Sequence, residues 1–261
     1  MEDPVLLERD GAVALLRLNR PKAYNAANYD LMRAMCEQMV ALAVDEAVRA
    51  IVLTGQGKAF CSGGDLKWML NFPRGAGAGI HALAAQFHQA VVEIRRMPKA
   101  VIAAINGVAA GGGFSLALAC DFRVMAESAF LRQAYTAAGL SIDGGGSFTL
   151  PRLVGLARAL EIAAFDEPIP AAKAAQWGLV TTLAPDDRVV EEAMEMAQKL
   201  TKVSMNSLGF TKQLLLESFD TPLESQLERE RIAIQTCAMH PDGREGLAAF
   251  SEKRKPIFHS A

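Results

Sequence analysis

The stretch GKAFCSGGDLK at residues 57–67 places two adjacent glycines directly before an acidic residue. It follows the apolar run AIVLT at 50–54, whose length and β-branched content predict a buried strand. A second glycine stretch, INGVAAGGG at 105–113, follows the apolar run AVIAAI at 100–105 and leads into an apolar helix predicted at 114–119. Strands that alternate with helices indicate crossover connections, so we expect an α/β fold with a mainly parallel sheet.

Neither glycine stretch has the spacing of a phosphate-binding loop or of a dinucleotide fingerprint. Each one alone fits a tight turn that only glycine can form. Two such stretches at strand-to-helix junctions also predict unpaired backbone N–H groups that converge on one developing negative charge. A third stretch, DGGG at 143–146, opens another helical segment.

Hydrophobic periodicity divides the chain into two parts. Residues 12–18 and 122–125 predict further strands, and Leu31, Met35, Met39 and Leu42 predict a helix that Asn28 caps. Beyond about residue 150 helical patterns dominate, at 191–200, 207–216, 223–236 and 246–253. We therefore predict an α/β core over 1–195 and a helical region over 196–261. The glycine-rich segment 75–79 is predicted to form a mobile loop.

Composition excludes several classes of protein. The 261 residues include 27 Lys and Arg against 29 Asp and Glu, a net charge of −2 that argues against a nucleic-acid partner. Hydrophobic residues make up 51%, which argues against disorder, and no apolar run is long enough to predict a membrane span. The four cysteines form no CxxC pair, and the histidines have no metal-like spacing. We expect a cytoplasmic protein with reduced thiols and no metal site.

Several segments, taken in order, resemble the crotonase (enoyl-CoA hydratase/isomerase) superfamily over nearly the whole chain. They are LNRPKAYNA at 18–26, the two glycine stretches, LPRLVG at 150–155 and AAQWGLV at 174–180. The resemblance implies a spiral core of ββα turns and a C-terminal helical region used in trimerisation, with two trimers stacking into a hexamer. It also implies an acyl-CoA thioester substrate and no cofactor, since coenzyme A belongs to the substrate.

The resemblance assigns an oxyanion hole to the backbone N–H groups of Gly64 and Gly112. Glycine suits both positions because the absence of a side chain lets a thioester oxygen approach closely, and a helix N-terminus favours negative charge. Substrate contacts are implied at seven further positions. These are Lys22, Ala23, Ala59, Ser62, Gly63, Asp65 and Leu66.

The expected catalytic acids of a hydratase are missing. Enoyl-CoA hydratases carry two glutamates that activate water, and this chain has Ser115 and Tyr135 at those positions. Neither supplies a carboxylate near neutral pH. A carboxylate does occur at Asp143, where an aspartate serves as the single proton shuttle in the similar ring-1,2-epoxyphenylacetyl-CoA isomerases. From spacing alone, Asp143 equally fits a helix cap.

A second similar group is the 4-chlorobenzoyl-CoA dehalogenases. There an aspartate attacks the ring as a nucleophile, a histidine assists hydrolysis and a tryptophan holds the aspartate. The matching positions here are Asp143, His88 and Tyr135. His88 also fits an ordinary, partly buried side chain, and Tyr135 fits a packed aromatic residue.

We therefore predict an acyl-CoA enzyme that stabilises a thioester enolate, an enoyl-CoA isomerase with Asp143 as proton shuttle. Tyr135 and His88 are its further candidate catalytic residues. Three alternatives stay open at this point: a hydratase with atypical acids, an aryl-CoA dehalogenase with Asp143 as nucleophile, and a non-catalytic acyl-CoA-binding protein.

Overall fold

A computed structural model describes residues 3–258 of the chain. The strands are β1 (Val5–Asp10), β2 (Val13–Leu18), β3 (Ala50–Gly55), β4 (Ala59–Cys61), β5 (Ala100–Ile105), β6 (Val108–Ala110), β7 (Phe122–Ala126), β8 (Phe130–Arg132), β9 (Ile169–Pro170) and β10 (Thr182–Ala184). The helices are α1 (Tyr29–Val44), α2 (Leu66–Leu70), α3 (Ala76–Arg96), α4 (Gly112–Ala119), α5 (Gly146–Val154), α6 (Leu156–Phe165), α7 (Ala171–Gln176), α8 (Val189–Leu200), α9 (Met205–Glu217), α10 (Leu223–Met239) and α11 (Pro241–Ser251).

Two sheets organise these elements. The larger sheet has the order β1-β2-β3-β5-β7-β10 and is parallel except for the β1–β2 pair. The smaller sheet has the order β4-β6-β8-β9, with only β8–β9 antiparallel. Every residue of β3 and β5 is buried. Both strands are covered on both faces of the sheet, which explains why their sequences are nearly continuous apolar runs. The predicted α/β class and mainly parallel sheet are confirmed.

The first long helix follows its predicted pattern. The Asn28 side chain accepts a hydrogen bond from the N–H of Leu31 at 3.0 Å and so caps α1. The apolar face, with Met35 and Met39, is fully buried. Capping and a continuous apolar face together fix where this helix begins and which side meets the core.

The prediction of a mobile loop at 75–79 is wrong. Gly75 is the N-cap of α3, with φ of +84°, and the following residues form the first turn of that helix. Gly79 is buried, and an added Cβ there would lie 2.9 Å from Cβ of Phe72. Glycine is therefore needed at position 79 because the helix packs closely on Phe72, and the segment is the start of a helix rather than a loop.

The C-terminal helices correspond to α8–α11. Helix α8 spans both sides of the predicted boundary at 195/196 and buries Ala193 and Ala197, so the domain division stays a prediction. Lys212 attaches α9 to the core, since its Nζ lies 2.8 Å from Oδ2 of Asp121 and donates to the carbonyl of Ile94 at 2.7 Å. The two short strands β9 and β10 lie in a region where mostly helices were predicted.

The four cysteines are unpaired. Cys36, Cys61 and Cys120 are buried, whereas Cys237 in α10 is half-buried. Among residues 3–258, no helix is both long and apolar enough to cross a bilayer.

Candidate active site

A cavity of about 570 Å³, the central cavity, lies where both glycine stretches meet α3 and the loop before α5. It is lined by Ala27, Met32, Cys61, Ser62, Gly63, Gly64, Leu66, Met69, Gly77, Ile80, His81, Leu83, Ala84, Phe87, Gly111, Gly112, Leu116, Ala134, Tyr135, Ala138, Leu140, Ser141, Ile142 and Asp143. Most of these side chains are apolar. The structure therefore brings both predicted oxyanion glycines, Tyr135 and Asp143 to one largely apolar cavity.

The two glycines supply unpaired N–H groups to this cavity. Gly112 is the first residue of α4, where a backbone N–H has no partner within the helix. Gly64 lies in a short bridge to Ala27, which bonds to the carbonyl of Gly63 and to the N–H of Asp65. Within the described part of the chain, the N–H groups of Gly64 and Gly112 have no acceptor. Both groups are thus available to an oxygen atom in the cavity.

The carboxylate of Asp143 is paired with a histidine. Nε2 of His88 lies 2.5 Å from Oδ1 of Asp143, although 55 residues separate them. Their side chains are 53% and 36% exposed. The helix-cap interpretation of Asp143 is wrong, because Gly145 is the N-cap of α5 and no side chain caps that helix. The pairing leaves the second carboxylate oxygen of Asp143 for other contacts.

The two positions expected to carry glutamates in a hydratase hold hydroxyl groups that contact each other. Oγ of Ser115 and the hydroxyl oxygen of Tyr135 are 3.2 Å apart, and both residues are buried. Burial raises the pKa of Tyr135 well above its usual range, so the phenol stays neutral. This pair therefore adds no negative charge to the cavity.

A second depression, the outer groove, adjoins the central cavity at Gly64 and Leu66. It measures about 740 Å³. Its lining residues are Arg20, Lys22, Ala23, Ala26, Gly64, Asp65, Leu66, Lys67, Trp68, Asn71, Phe72 and Pro73. Of the seven predicted substrate contacts, Lys22, Ala23, Asp65 and Leu66 line this groove, and Ser62, Gly63 and again Leu66 line the central cavity.

Two of those seven residues have clear structural roles. Ala59 is buried in β4, lines neither cavity and accepts a hydrogen bond from Nδ2 of Asn25 at 2.7 Å. Asp65 caps α2 and lies 2.8 Å from Nη2 of Arg20. Partial burial alone would raise the pKa of Asp65, but the Trp68 N–H and Arg20 hold that pKa below its usual value. Asp65 is thus a fixed anion that orders the groove.

Helix α3 provides a wall of the central cavity that was not among the predicted site residues. Ile80, Ala84 and Phe87 line the cavity at helical spacing, and His81 joins them. The same spacing in the sequence was a usable signal, but it is also typical of a helix that faces an ordinary core. Within residues 3–258, no cluster of three or more potential ligands is arranged to hold a metal ion.

The comparisons with known proteins agree with this geometry. The sequence profile of the enoyl-CoA hydratase/isomerase family matches residues 8–261. The chain is 33% identical to 1,2-epoxyphenylacetyl-CoA isomerase of Escherichia coli (strain K12) over 99% of each chain. It is 34% identical to 4-chlorobenzoyl coenzyme A dehalogenase-2 of Arthrobacter sp, covering 95% of this chain and 91% of that one. The crystal structure of an enoyl-CoA hydratase from Polaromonas sp. JS666 superimposes with a TM-score of 0.93 at 36% identity, covering 98% and 99% of the two chains. By sequence and by structure, this chain belongs to the enoyl-CoA hydratase/isomerase family of the crotonase superfamily.

Proposed function

We propose that the protein moves a double bond within the acyl group of an acyl-CoA thioester, with Asp143 as the proton shuttle. One observation carries the proposal: a single carboxylate, that of Asp143, shares the central cavity with the unpaired N–H groups of Gly64 and Gly112. The similarity to an acyl-CoA isomerase supports it.

The reaction requires stabilisation of an enolate. Asp143 takes a proton from the carbon next to the thioester carbonyl. The electron pair of that C–H bond forms the C=C bond of the enolate, and the π pair of the carbonyl moves onto its oxygen. The N–H groups of Gly64 and Gly112 donate to this oxygen, which gains charge on the way to the transition state. The N-terminus of α4 at Gly112 adds a favourable dipole. Asp143 then returns the proton to the far carbon of the original C=C bond. The oxygen's electron pair restores the carbonyl, and the C=C bond now lies next to it.

His88 serves as the positioning residue for this carboxylate. With a proton on Nε2, the imidazole donates to Oδ1 of Asp143 and fixes the orientation of the side chain. The other oxygen, Oδ2, is then the base. A positioned general base contributes about 10²–10⁴-fold to the rate.

The outer groove accommodates the coenzyme A part of the substrate in this proposal. It opens from the oxyanion residue Gly64, and Lys22 and Lys67 line it with positive charge suited to phosphate groups. Coenzyme A is thus bound as part of the substrate, and no further cofactor takes part.

A dehalogenase is the second candidate, favoured by the contact between His88 and Asp143. In that reaction a carboxylate oxygen of Asp143 adds to an aromatic carbon and halide leaves. His88 then activates the water that hydrolyses the resulting ester. The similarity to 4-chlorobenzoyl coenzyme A dehalogenase-2 supports this candidate.

Incubation with enoyl-, dienoyl- and aryl-CoA thioesters in D₂O, followed by mass spectrometry, distinguishes the reactions. An isomerase yields a product of altered retention whose mass grows only by exchanged deuterium. Release of chloride and a transient ester on Asp143 would establish the dehalogenase instead. Net addition of water would establish a hydratase and contradict the proposal.

A further inference from the structure

The hydrogen bond between Ser115 and Tyr135 has only one orientation that gives the buried Ser115 proton an acceptor. Ser115 is 0% exposed, and Tyr135 is the one hydrogen-bond partner of its Oγ among residues 3–258. A buried hydroxyl proton without an acceptor is costly. The Ser115 proton therefore goes to the oxygen of Tyr135, and Ser115 is the donor.

This orientation leaves the proton of Tyr135 without a protein acceptor. The tyrosine hydroxyl oxygen accepts from Ser115 and lies beside the backbone N–H of Asp143, and within the described residues no acceptor is found for its own proton. Tyr135 lines the central cavity together with Asp143, whereas Ser115 lies behind it. The phenol remains protonated near neutral pH because burial raises its pKa. A neutral O–H donor thus faces the region of the cavity that holds the proposed base.

We infer that Tyr135 donates a hydrogen bond to a neutral oxygen atom on the acyl group, and that the natural substrate is an oxygen-substituted acyl-CoA. An ether, hydroxyl or carbonyl oxygen fits this donor. A purely hydrocarbon acyl chain would leave the buried O–H unpaired, which is the penalty that lets a polar site reject the analogue lacking its partner. The inference depends on the proposed function only for placing the acyl group in the central cavity.

The test compares two thioesters of nearly equal shape, 3-methoxybutanoyl-CoA and its carbon isostere 3-methylpentanoyl-CoA. Dissociation constants are measured by calorimetry in an Asp143→Asn background, and mass spectrometry confirms that both thioesters stay intact. With Tyr135 present, we expect the ether to bind at least about tenfold more tightly than the isostere. Tyr135→Phe is expected to remove this preference.

Two further variants keep the test decisive. Ser115→Ala lacks the orienting donor, so the preference is expected to fall several-fold even if Tyr135→Phe does not fold. Tyr24→Phe makes the same chemical change at a 57% exposed position outside both cavities. This control is expected to prefer the ether thioester as strongly as the Asp143→Asn protein does. Equal binding of the two thioesters by the parent, or an unchanged preference in both cavity variants, would overturn the inference.

The two proposals fail in different ways. The binding preference requires no turnover, whereas the isomerase proposal is tested by deuterium exchange in the protein that retains Asp143. If no deuterium exchange is seen but the ether still binds more tightly, the isomerase reaction is overturned and the role of Tyr135 stands. If deuterium exchange is seen but the two thioesters bind equally, the role of Tyr135 is overturned and the isomerase reaction stands.

Discussion

Gly144 lies so close to Phe87 that an added Cβ would be 2.1 Å from Cε1 of the ring. Gly144 also has φ of +60°, which disfavours other residues. Phe87 is buried and directly precedes His88, and Gly144 directly follows Asp143. The contact between ring and glycine therefore sets the separation of the two backbone segments that carry the His88–Asp143 pair.

Gly144→Ala is predicted to destabilise the protein and to impair the site together. The Cβ would force the Phe87 ring or the loop to move, so we expect a loss of at least about 2 kcal/mol from strain and overpacking. Gly139→Ala is the matched control, because Gly139 also has a positive φ, of +69°, but nothing lies within 4 Å of an added Cβ. Thermal unfolding should show the smaller loss for Gly139→Ala; equal losses would contradict the role of the contact.

Asp143→Asn is predicted to lower turnover by at least about 100-fold, because the amide cannot accept a proton as the carboxylate does. The free energy of unfolding should change by less than about 1 kcal/mol, since the side chain is partly exposed and caps no helix. Steady-state kinetics and chemical denaturation measure the two effects.

Ser115→Ala provides the contrast for Asp143→Asn. No proton transfer is assigned to Ser115, so its removal should reduce turnover of a hydrocarbon enoyl-CoA only by a few-fold. If turnover were instead lost in Ser115→Ala and kept in Asp143→Asn, the single-carboxylate mechanism would be contradicted. It would also count against the dehalogenase, which needs the same aspartate.

Gly112→Pro is predicted to remove nearly all turnover while coenzyme A binding persists. Proline has no N–H, so one oxyanion donor is lost, and such a loss lowers the rate by about 10²–10³-fold. Proline is well tolerated at the first position of a helix, which Gly112 occupies in α4. Gly112→Ala keeps the N–H, and an added Cβ would be 3.6 Å from Phe87, so it should turn over far faster than the proline variant. Circular dichroism checks the folding of both.

Trimers or dimers of trimers are predicted in solution. Helices α10 and α11 expose large apolar side chains, including Ile234 at 71% and Phe250 at 87%, and such a surface is costly on a monomer. Leu214, Leu215 and Leu223 are expected to contribute to the same interface. The molar mass measured by light scattering at micromolar concentration should therefore be a multiple of the 28.0 kDa of one chain. Phe250→Glu should weaken assembly more than Val44→Glu, a 79% exposed control on α1; a stable monomer would contradict the prediction.

The central strands could be predicted because their burial leaves continuous apolar runs, as at β3 and β5. The three-residue strands β4, β6 and β8 were too short to produce a pattern. The start of α3 was missed because its glycines have low helix propensity, and tertiary packing of Gly79 on Phe72 determines the local structure.

The site was partly predictable for a similar reason. Resemblance predicted Asp143 and the two glycines of the proposed oxyanion hole as site residues, because they lie in recognisable segments. The 2.5 Å contact with His88 depends on how α3 packs against the loop before α5, and spacing along the chain carries no information on that distance. The hydrogen bond between Ser115 and Tyr135 was hidden for the same reason, since the two residues are 20 positions apart.

The distribution of the cysteines makes the chain suitable for single-site labelling. Burial raises the pKa of Cys61 to about 11 and that of Cys120 to about 12, so both thiols resist alkylation near neutral pH. Cys36 is also buried, whereas Cys237 is half-buried on α10, amid the exposed apolar side chains of the C-terminal helices. A maleimide fluorophore would therefore attach preferentially to α10, where its emission would report subunit association without a probe in the central cavity.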